Sequence, residues 1–255
     1  MRSTSSLAST CAKALALGLL LSGCATAKRQ SQAAARVQLG HAYITEGEPE
    51  LAISTLREAT RLDRRNVEAW HQLALAYMAR GAYAEAEDAF QRALKLNDED
   101  ASINLNYAYM LQKLDRNTEA IERLETARGD LTYRKPAMVL NNLGFAYLEE
   151  GRVPEAVAAL EEAVSRQSNF CAAWYNLGLA YSAADELAKG VDAMDKVHMM
   201  CPGEYPEATL KIGEMLIDMG RREEGAMYLD KVVKSWPGTP LSQQANARLA
   251  AEGMQ

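Results

Sequence analysis

Cysteine is the residue type in this chain that has the most specific chemistry. There are four cysteines. A thiol can carry a lipid thioether, join a second thiol in a disulfide, or hold a metal ion. Cys11 and Cys24 lie near the amino terminus, whereas Cys171 and Cys201 lie 30 residues apart in the second half of the chain. The segments around each pair decide between these uses.

The first 23 residues have the pattern of an export signal, with positive charge followed by a short apolar run, Ala14 to Leu21. That run is too short to span a bilayer as a helix. Leu21-Ser22-Gly23-Cys24 resembles the processing site of bacterial lipoproteins. The resemblance implies removal of residues 1–23 and acyl chains such as palmitate on Cys24, where several chains give a stable anchor. An ordinary secretory signal with an incidental cysteine is the alternative.

The residues after Cys24 bear on the membrane to which such a lipoprotein goes. Ala25 and Thr26 are not acidic, so the inner-membrane retention pattern of lipoproteins is absent. We therefore expect an outer-membrane protein that faces the periplasm. Residues 24–32 are predicted to be the lipid-bearing end and a short spacer, of which residues 25–32 reach at most about 26–29 Å when extended.

The remaining reactive side chains do not form the pattern of an active site. His41 and His71 lack a third ligand at a usual metal spacing, and the adjacent pair Glu149-Glu150 diverges on a predicted helix. No phosphate-binding glycine loop or nucleophile motif is present. The net charge of −6 argues against nucleic acid. We predict no enzyme activity, no metal, no cofactor apart from the covalent lipid, and no small-molecule substrate.

A pattern of small and large residues returns about every 34 residues from Ala33 to Thr239. Each repeat contains two stretches with helical apolar spacing, separated by turn residues such as Gly47 and Gly81. Positions eight and twenty are small, and positions eleven and twenty-four are large. Two helices approach closely only where the crossing residues are small, and such hairpins must stack to bury their apolar faces. Position eight holds Gly40, Ala74, Ala108, Gly144, Gly178 and Gly213.

This pattern resembles the tetratricopeptide repeat. Trp70 and Trp174 stand at the tryptophan position of the repeat, and Pro202 and Pro237 at its closing proline. The resemblance implies an all-α fold, a right-handed superhelical solenoid of six tetratricopeptide helix hairpins plus a C-terminal capping helix. The predicted segments are repeats 33–66, 67–100, 101–136, 137–170, 171–205 and 206–239, then a capping helix and tail at 240–255.

In this repeat the first helix of each pair lines a concave face, so its exposed positions are candidate partner-binding residues. We call them the concave strip, and they are largely apolar and aromatic. An apolar groove suits an extended or helical hydrophobic segment of a protein partner. The alternative is that these side chains only pack against neighbouring helices. The concave strip comprises Val37, Ile44, His71, Leu75, Met78, Leu105, Tyr109, Asn141, Phe145, Leu148 and Tyr175.

Cys171 and Cys201 are candidates for a disulfide. Cys171 opens the first predicted helix of repeat five and Cys201 closes the second, and these two ends are neighbours in an antiparallel hairpin. An exported protein also folds in an oxidising compartment. Two separately buried thiols are the alternative.

Three features together resemble the pilotin group that includes PilF, PilW and Tgl, the outer-membrane lipoproteins that assist type IV pilus secretins. They are Cys24, the six repeats, and the junction Leu131-Thr132-Tyr133-Arg134-Lys135-Pro136 that precedes Asn141-Asn142-Leu143-Gly144. The resemblance implies a lipid-anchored scaffold that binds a secretin subunit, assists secretin assembly and localisation, and supports pilus biogenesis and twitching or gliding motility. Two other hypotheses are a periplasmic scaffold for cell-wall enzymes or a protease, and an accessory subunit of a barrel-insertion machine.

Overall fold

The computed structural model describes residues 26–254, and every regular element in that part of the chain is an α-helix. Helix α1 occupies residues 26–45. The all-α prediction is confirmed: within the described residues the regular elements are thirteen helices, α1 to α13. The other helices are α2 (Pro49–Leu62), α3 (Val67–Ala79), α4 (Tyr83–Leu94), α5 (Ala101–Lys113), α6 (Asn117–Gly129), α7 (Pro136–Glu149), α8 (Val153–Arg166), α9 (Cys171–Ala183), α10 (Leu187–Met200), α11 (Pro206–Asp218), α12 (Arg222–Ser235) and α13 (Pro240–Ala251).

In repeats two to six the first helices begin where the sequence columns place the repeat starts, with α7 one residue early, whereas α1 begins at residue 26, seven residues before the predicted start of repeat one. Local signals explain several of these starts. The Asn66 side chain accepts a hydrogen bond from the Ala69 amide and so caps α3. Pro136 and Pro206 occupy the first turns of α7 and α11, where the missing amide hydrogen of proline costs nothing.

The predicted spacer differs from the structure. Residues 26–32 are helical and continue directly into the rest of α1. The physical reason is composition, because this stretch is rich in Ala, Gln, Lys and Arg, which are strong helix formers. Since a helix rises only about 1.5 Å per residue, these seven residues advance the chain by about 10 Å, well below the reach of an extended spacer.

The described residues divide into two compact units, 26–110 and 111–254, and the division falls inside α5. In the first unit, α2 packs against α3 and α3 packs against α4. In the second unit, each helix from α6 to α13 packs against the next, and α7 also contacts α9. These are the neighbour-to-neighbour contacts of a stacked repeat architecture.

The small residue at position eight lies against the large residue at position twenty-four of the same repeat. At Gly213, an added Cβ would come 2.7 Å from Leu229 Cδ2. At Gly225, which is position twenty, it would come 2.6 Å from the Gly213 carbonyl oxygen. The two helices of this hairpin therefore touch through their backbones, which only small residues allow. All six large residues at position twenty-four are fully buried: Leu56, Phe90, Leu124, Leu160, Met194 and Leu229.

The two tryptophans at position four fasten the loops between repeats. Trp70 Nε1 donates a 3.0 Å hydrogen bond to the Arg64 carbonyl oxygen. Trp174 Nε1 donates a 2.8 Å bond to the Ser168 carbonyl oxygen. In both cases the acceptor lies six residues upstream, in the loop that enters the first helix of the repeat. A tryptophan at position four therefore fixes the loop before the first helix in the same way in both repeats.

Candidate functional site

The concave-strip residues of the first unit divide by their position in the repeat. Those at position five are buried, with at most 7% of their surface exposed. Those at positions nine and twelve keep exposed surface. The structure therefore corrects the strip, because its position-five members offer little surface to a partner. The buried residues are Val37, His71 and Leu105, the partly exposed ones are Ile44, Leu75 and Met78, and Tyr109 is 46% exposed.

Polar side chains at position six of the following repeat contact the two histidines of the first unit. His41, which is exposed at position nine, donates from Nδ1 to Gln72 Oε1 at 3.2 Å. At the buried His71, Asn106 Nδ2 donates a 2.9 Å hydrogen bond to His71 Nε2, and the His71 ring also lies 6.2 Å from the ring of Phe90. A buried polar group needs such a partner, and the partner brings the next helix over the side chain. His71 therefore contributes to the packing of neighbouring helices and not to a surface that a partner could contact.

The second unit repeats this arrangement. Asn141 is buried, and its Oδ1 accepts a 2.9 Å hydrogen bond from Asn176 Nδ2. The Asn141 prediction is corrected in the same way as His71, since its amide links α7 to α9. Phe145 and Leu148, at positions nine and twelve, remain partly exposed, and so does Tyr175, which is the exception among the position-five residues of the strip. The usable surface of the second unit is therefore apolar and aromatic.

An aromatic pair marks the α9 part of this surface. The rings of Tyr175 and Tyr205 lie 5.5 Å apart. Burial, followed by the charges of Glu207 and Glu214, raises the pKa of Tyr175 above its usual value. The Tyr175 phenol therefore stays protonated at neutral pH and is able to donate a hydrogen bond from an otherwise apolar surface.

A hollow of about 430 Å³ lies beside α1 and α3 in the first unit, lined in part by Ala34, Val37, His41 and Gln72. Glu68 also lines it, and Gln72 Nε2 donates a 2.7 Å hydrogen bond to Glu68 Oε1. The neighbouring His71, whose Nδ1 lies 3.8 Å from Glu68 Oε2, lowers the pKa of Glu68 against the opposing effect of burial. Glu68 is thus a charged acceptor. Within residues 26–254, no three His, Cys, Asp or Glu side chains are grouped so that they could hold a metal ion.

Two tyrosine–carboxylate hydrogen bonds join successive repeats, and the sequence did not lead us to expect them. Tyr147 OH donates a 2.6 Å hydrogen bond to Glu125 Oε1, and Tyr181 OH donates a 2.6 Å bond to Glu161 Oε1. Each pair joins position eleven of one repeat to position twenty-five of the repeat before it. Burial, followed by the bond to Glu125, raises the pKa of Tyr147 to about 12. The sequence feature that could have predicted these bonds is an acidic residue at position twenty-five of one repeat followed by a tyrosine at position eleven of the next.

The cysteines fall into one described pair and two residues outside the description. Cys171 and Cys201 form a disulfide with Cα atoms 6.5 Å apart, joining the start of α9 to the end of α10. Cys11 and the predicted lipid-bearing residue Cys24 lie outside the described residues. In the described part of the chain, none of the helices has the length and apolar character that crossing a bilayer requires.

Profiles of known families cover most of the chain. A tetratricopeptide-repeat profile matches residues 37–103, 71–132, 105–170 and 141–204, and a second one matches residues 207–239. Together with the packed helices of each unit, these matches define the class of protein. The chain belongs to the tetratricopeptide repeat family.

Individual relatives are similar over different lengths. The type IV pilus assembly protein PilF of Pseudomonas aeruginosa is 28% identical over 135 residues, which are 53% of this chain and 54% of PilF. The human protein O-mannosyl-transferase TMTC3 is 27% identical over 203 residues, which are 75% of this chain and 22% of that protein. The matches thus span about half of PilF and less than a quarter of TMTC3.

Two solved structures share the fold over almost their whole length. PilW, described as a widely conserved type IV pilus biogenesis factor, has a TM-score of 0.76 at 22% identity, covering 83% of this chain and 96% of PilW. Pseudomonas aeruginosa PilF also has a TM-score of 0.76, at 23% identity, covering 87% of this chain and 99% of PilF. At these identities the likeness shows the fold alone.

Proposed function

We propose that this chain is a lipid-anchored protein-binding scaffold that supports type IV pilus assembly by holding a secretin subunit at the outer membrane. The observation that carries the proposal is the similarity to PilF, 28% identical over 53% of this chain. The fold shared with PilW and PilF along nearly the whole of those chains supports it further. In this proposal the chain acts as a pilotin, by binding rather than by catalysis.

The binding surface that we propose is formed by positions nine and twelve of the first helices. In the first unit it includes Leu75, Met78 and Tyr109, and in the second unit Phe145 and Leu148. Aromatic residues are efficient anchors for a bound segment because they bury a large area with few rotatable bonds. A secretin subunit carries strands meant for an oligomeric barrel, and unpaired strand edges aggregate. Covering such a strand until a neighbouring subunit pairs with it would prevent that aggregation.

The membrane attachment that we propose comes from the amino-terminal sequence. Leu21-Ser22-Gly23-Cys24 supports lipid attachment at Cys24, and the absence of an acidic residue directly after Cys24 supports the outer membrane. Because residues 26–32 are helical, little extended chain separates the proposed anchor from the first repeat. The scaffold would therefore work close to the lipid surface and facing the periplasm.

The test is co-purification from detergent-solubilised envelopes, comparing the wild type with the double variant Leu75→Glu and Tyr109→Glu. Both side chains lie in the first unit on first helices, so a glutamate there would place a charge where the partner's apolar segment binds. We expect the recovered secretin to fall at least tenfold, since truncating anchor residues typically costs 2 kcal/mol or more. Circular dichroism checks that both proteins keep the same helicity.

The matched control is Met199→Glu with Met227→Glu. These two methionines are 75% and 72% exposed on the second helices α10 and α12, so the same chemical change is made away from the proposed surface. Secretin recovery should stay within twofold of the wild type. Equal loss in both variants would move the binding surface away from the first helices. Recovery of cell-wall enzymes, a protease or a barrel-insertion protein in place of secretin would contradict the pilotin role.

A further inference from the structure

The first unit contains a cleft of about 690 Å³ whose walls come from α2, α3 and α4. Five cationic side chains and only two carboxylates, those of Glu85 and Asp88, line it, in a protein whose net charge is −6. We call this feature the basic cleft. Its cationic residues are Arg57, Arg61, Arg64, Arg92 and Lys95.

None of these five cations forms an ion pair with a carboxylate among the residues that the structure describes. Arg61 and Arg92 lie in the last turns of their helices, where the helix dipole favours a cation. Cations in the last turns of other helices are nevertheless paired: Arg166 with Glu162 at 2.7 Å, and Lys234 with Asp230. The dipole therefore accounts for the positions of Arg61 and Arg92 but not for the absence of a carboxylate in an ion pair with either of them.

Two of the guanidinium groups are held in place before any ligand binds. Arg57 Nε donates a 2.7 Å hydrogen bond to the Tyr77 hydroxyl, and the Arg57 guanidinium lies 5.6 Å from the ring centroid of Tyr77. The guanidinium of Arg92 lies 5.1 Å from the ring centroid of Trp70. Side chains that are already ordered lose little conformational entropy on binding, so the basic cleft is preorganised.

The cleft also has an apolar component. Leu73, Ala89 and Leu96 are among its lining residues; Leu73 and Ala89 are buried, and Leu96 is 40% exposed. A small inorganic anion would use only the cations. A ligand with both negative charge and apolar groups would use the whole cleft.

The spacing of the arginines indicates the shape of that ligand. Arg57 and Arg61 are four residues apart on one side of α2, and Arg64 follows in the loop after the helix. The helical rise from Arg57 to Arg61 is about 6 Å, close to the spacing of every second residue in an extended chain. In an extended peptide every second side chain points the same way, so acidic residues at alternate positions would face the cations, and apolar residues between them would face the apolar lining residues.

We propose that the basic cleft binds an extended segment of a protein partner in which acidic and apolar residues alternate. Guanidinium groups bind carboxylates through two parallel hydrogen bonds, which gives both affinity and orientation. The cations of this site lie on α2, on α4 and in the loops directly after them, and none of its lining residues belongs to the proposed surface on the first helices. It stands or falls independently of the secretin proposal.

The test uses the full chain in a non-ionic detergent and a fluorescein-labelled octapeptide that alternates glutamate and leucine. Fluorescence anisotropy measures binding to the wild type, to Arg61→Glu with Arg64→Glu, and to a control pair, Arg134→Glu with Lys135→Glu. The control makes the same change of net charge at two exposed cations in the second unit. We expect the dissociation constant to rise about tenfold in the cleft variant and less than twofold in the control. A peptide with glutamine in place of glutamate should not bind.

Other results would overturn the proposal. They are no binding of the glutamate–leucine peptide, equal weakening in the two variants, or equal binding of the glutamine peptide. Two competing occupants are tested in parallel. Tighter binding of monomeric dihexanoylphosphatidylglycerol than of the peptide would assign the cleft to a lipid headgroup. Self-association of the wild type that the cleft variant loses, measured by sedimentation, would assign it to a second copy of this chain. Circular dichroism verifies that the variants are folded.

Discussion

Gly144 on α7 lies directly against Leu160 on α8. A Cβ added to Gly144 would come 2.4 Å from Leu160 Cγ, closer than real side chains approach one another. Leu160 itself is fully buried. The hydrogen atom of Gly144 is therefore what allows Leu160 to fill the centre of this hairpin, and the two residues act as one packing unit.

Gly144→Ala should destabilise the second unit for this reason. We expect the free energy of unfolding to fall by about 1–3 kcal/mol, because the extra methyl group must displace a buried leucine. Urea unfolding followed by circular dichroism measures the change. Gly129→Ala is the control, since nothing lies within 4 Å of a Cβ at Gly129, the last residue of α6. Equal stability of Gly144→Ala and the wild type would show that Leu160 shifts without cost.

Removal of the disulfide should also destabilise the fold. The bridge between Cys171 and Cys201 closes a loop across 30 residues, for which the chain-entropy relation gives a contribution of about 3–4 kcal/mol. The double variant Cys171→Ala and Cys201→Ala should therefore unfold at a lower urea concentration than the oxidised wild type. Wild-type protein treated with reductant should move in the same direction. Two free thiols in the exported protein, found by mass spectrometry without reductant, would contradict this prediction.

The Tyr147–Glu125 pair predicts a loss of stability at high pH. The pKa of Tyr147 is raised to about 12 in the folded protein, above its ordinary value of 10.0. A raised pKa in the folded state means that folding favours the protonated phenol. The resulting stabilisation is complete below about pH 10 and disappears as the pH rises toward 12. Unfolding measured across this range should show a decline that is smaller in Tyr147→Phe.

At neutral pH, Tyr147→Phe should lower the free energy of unfolding by about 1 kcal/mol, through the lost hydrogen bond to Glu125. Tyr83→Phe is the control, since Tyr83 makes no hydrogen bond to a carboxylate within the described chain. An identical high-pH decline in the wild type and Tyr147→Phe would assign the effect to other groups.

Cys24→Ala tests the proposed anchor. We expect the variant to be released as a soluble periplasmic protein and heat-resistant secretin multimers to be missing from the outer membrane. Cell fractionation and gel electrophoresis of envelope samples report the two outcomes. Cys11→Ala is a matched control, because Cys11 lies in the segment that the sequence predicts to be removed. Normal multimers in the Cys24→Ala strain would argue against assembly that depends on the anchor.

The helices and their hairpin pairing were predictable because they depend on local spacing. Small residues at position eight and large ones at position twenty-four, such as Gly213 and Leu229, lie within one repeat. The role of position four also depends on a local contact, since Trp70 donates a hydrogen bond to a carbonyl group only six residues upstream. Signals of this kind need no knowledge of distant segments.

The exposed surface was less predictable, because it depends on contacts between repeats. His71 and Leu75 are four residues apart on one helix and have similar expected orientations, yet only His71 is buried, under Asn106 of the next repeat. The Tyr147–Glu125 bond and the basic cleft likewise join residues of successive repeats.

Sequence alone therefore determined that this chain is built of helical hairpins. The reason is that the sizes of residues within one repeat decide how its two helices pack. Tertiary structure decided which polar side chains form hydrogen bonds with the next repeat and which cations have no carboxylate in an ion pair with them. The physical reason is that hydrogen bonds and ion pairs depend on distances of a few ångströms between side chains about 20 to 35 residues apart, and the spacing pattern does not contain those distances.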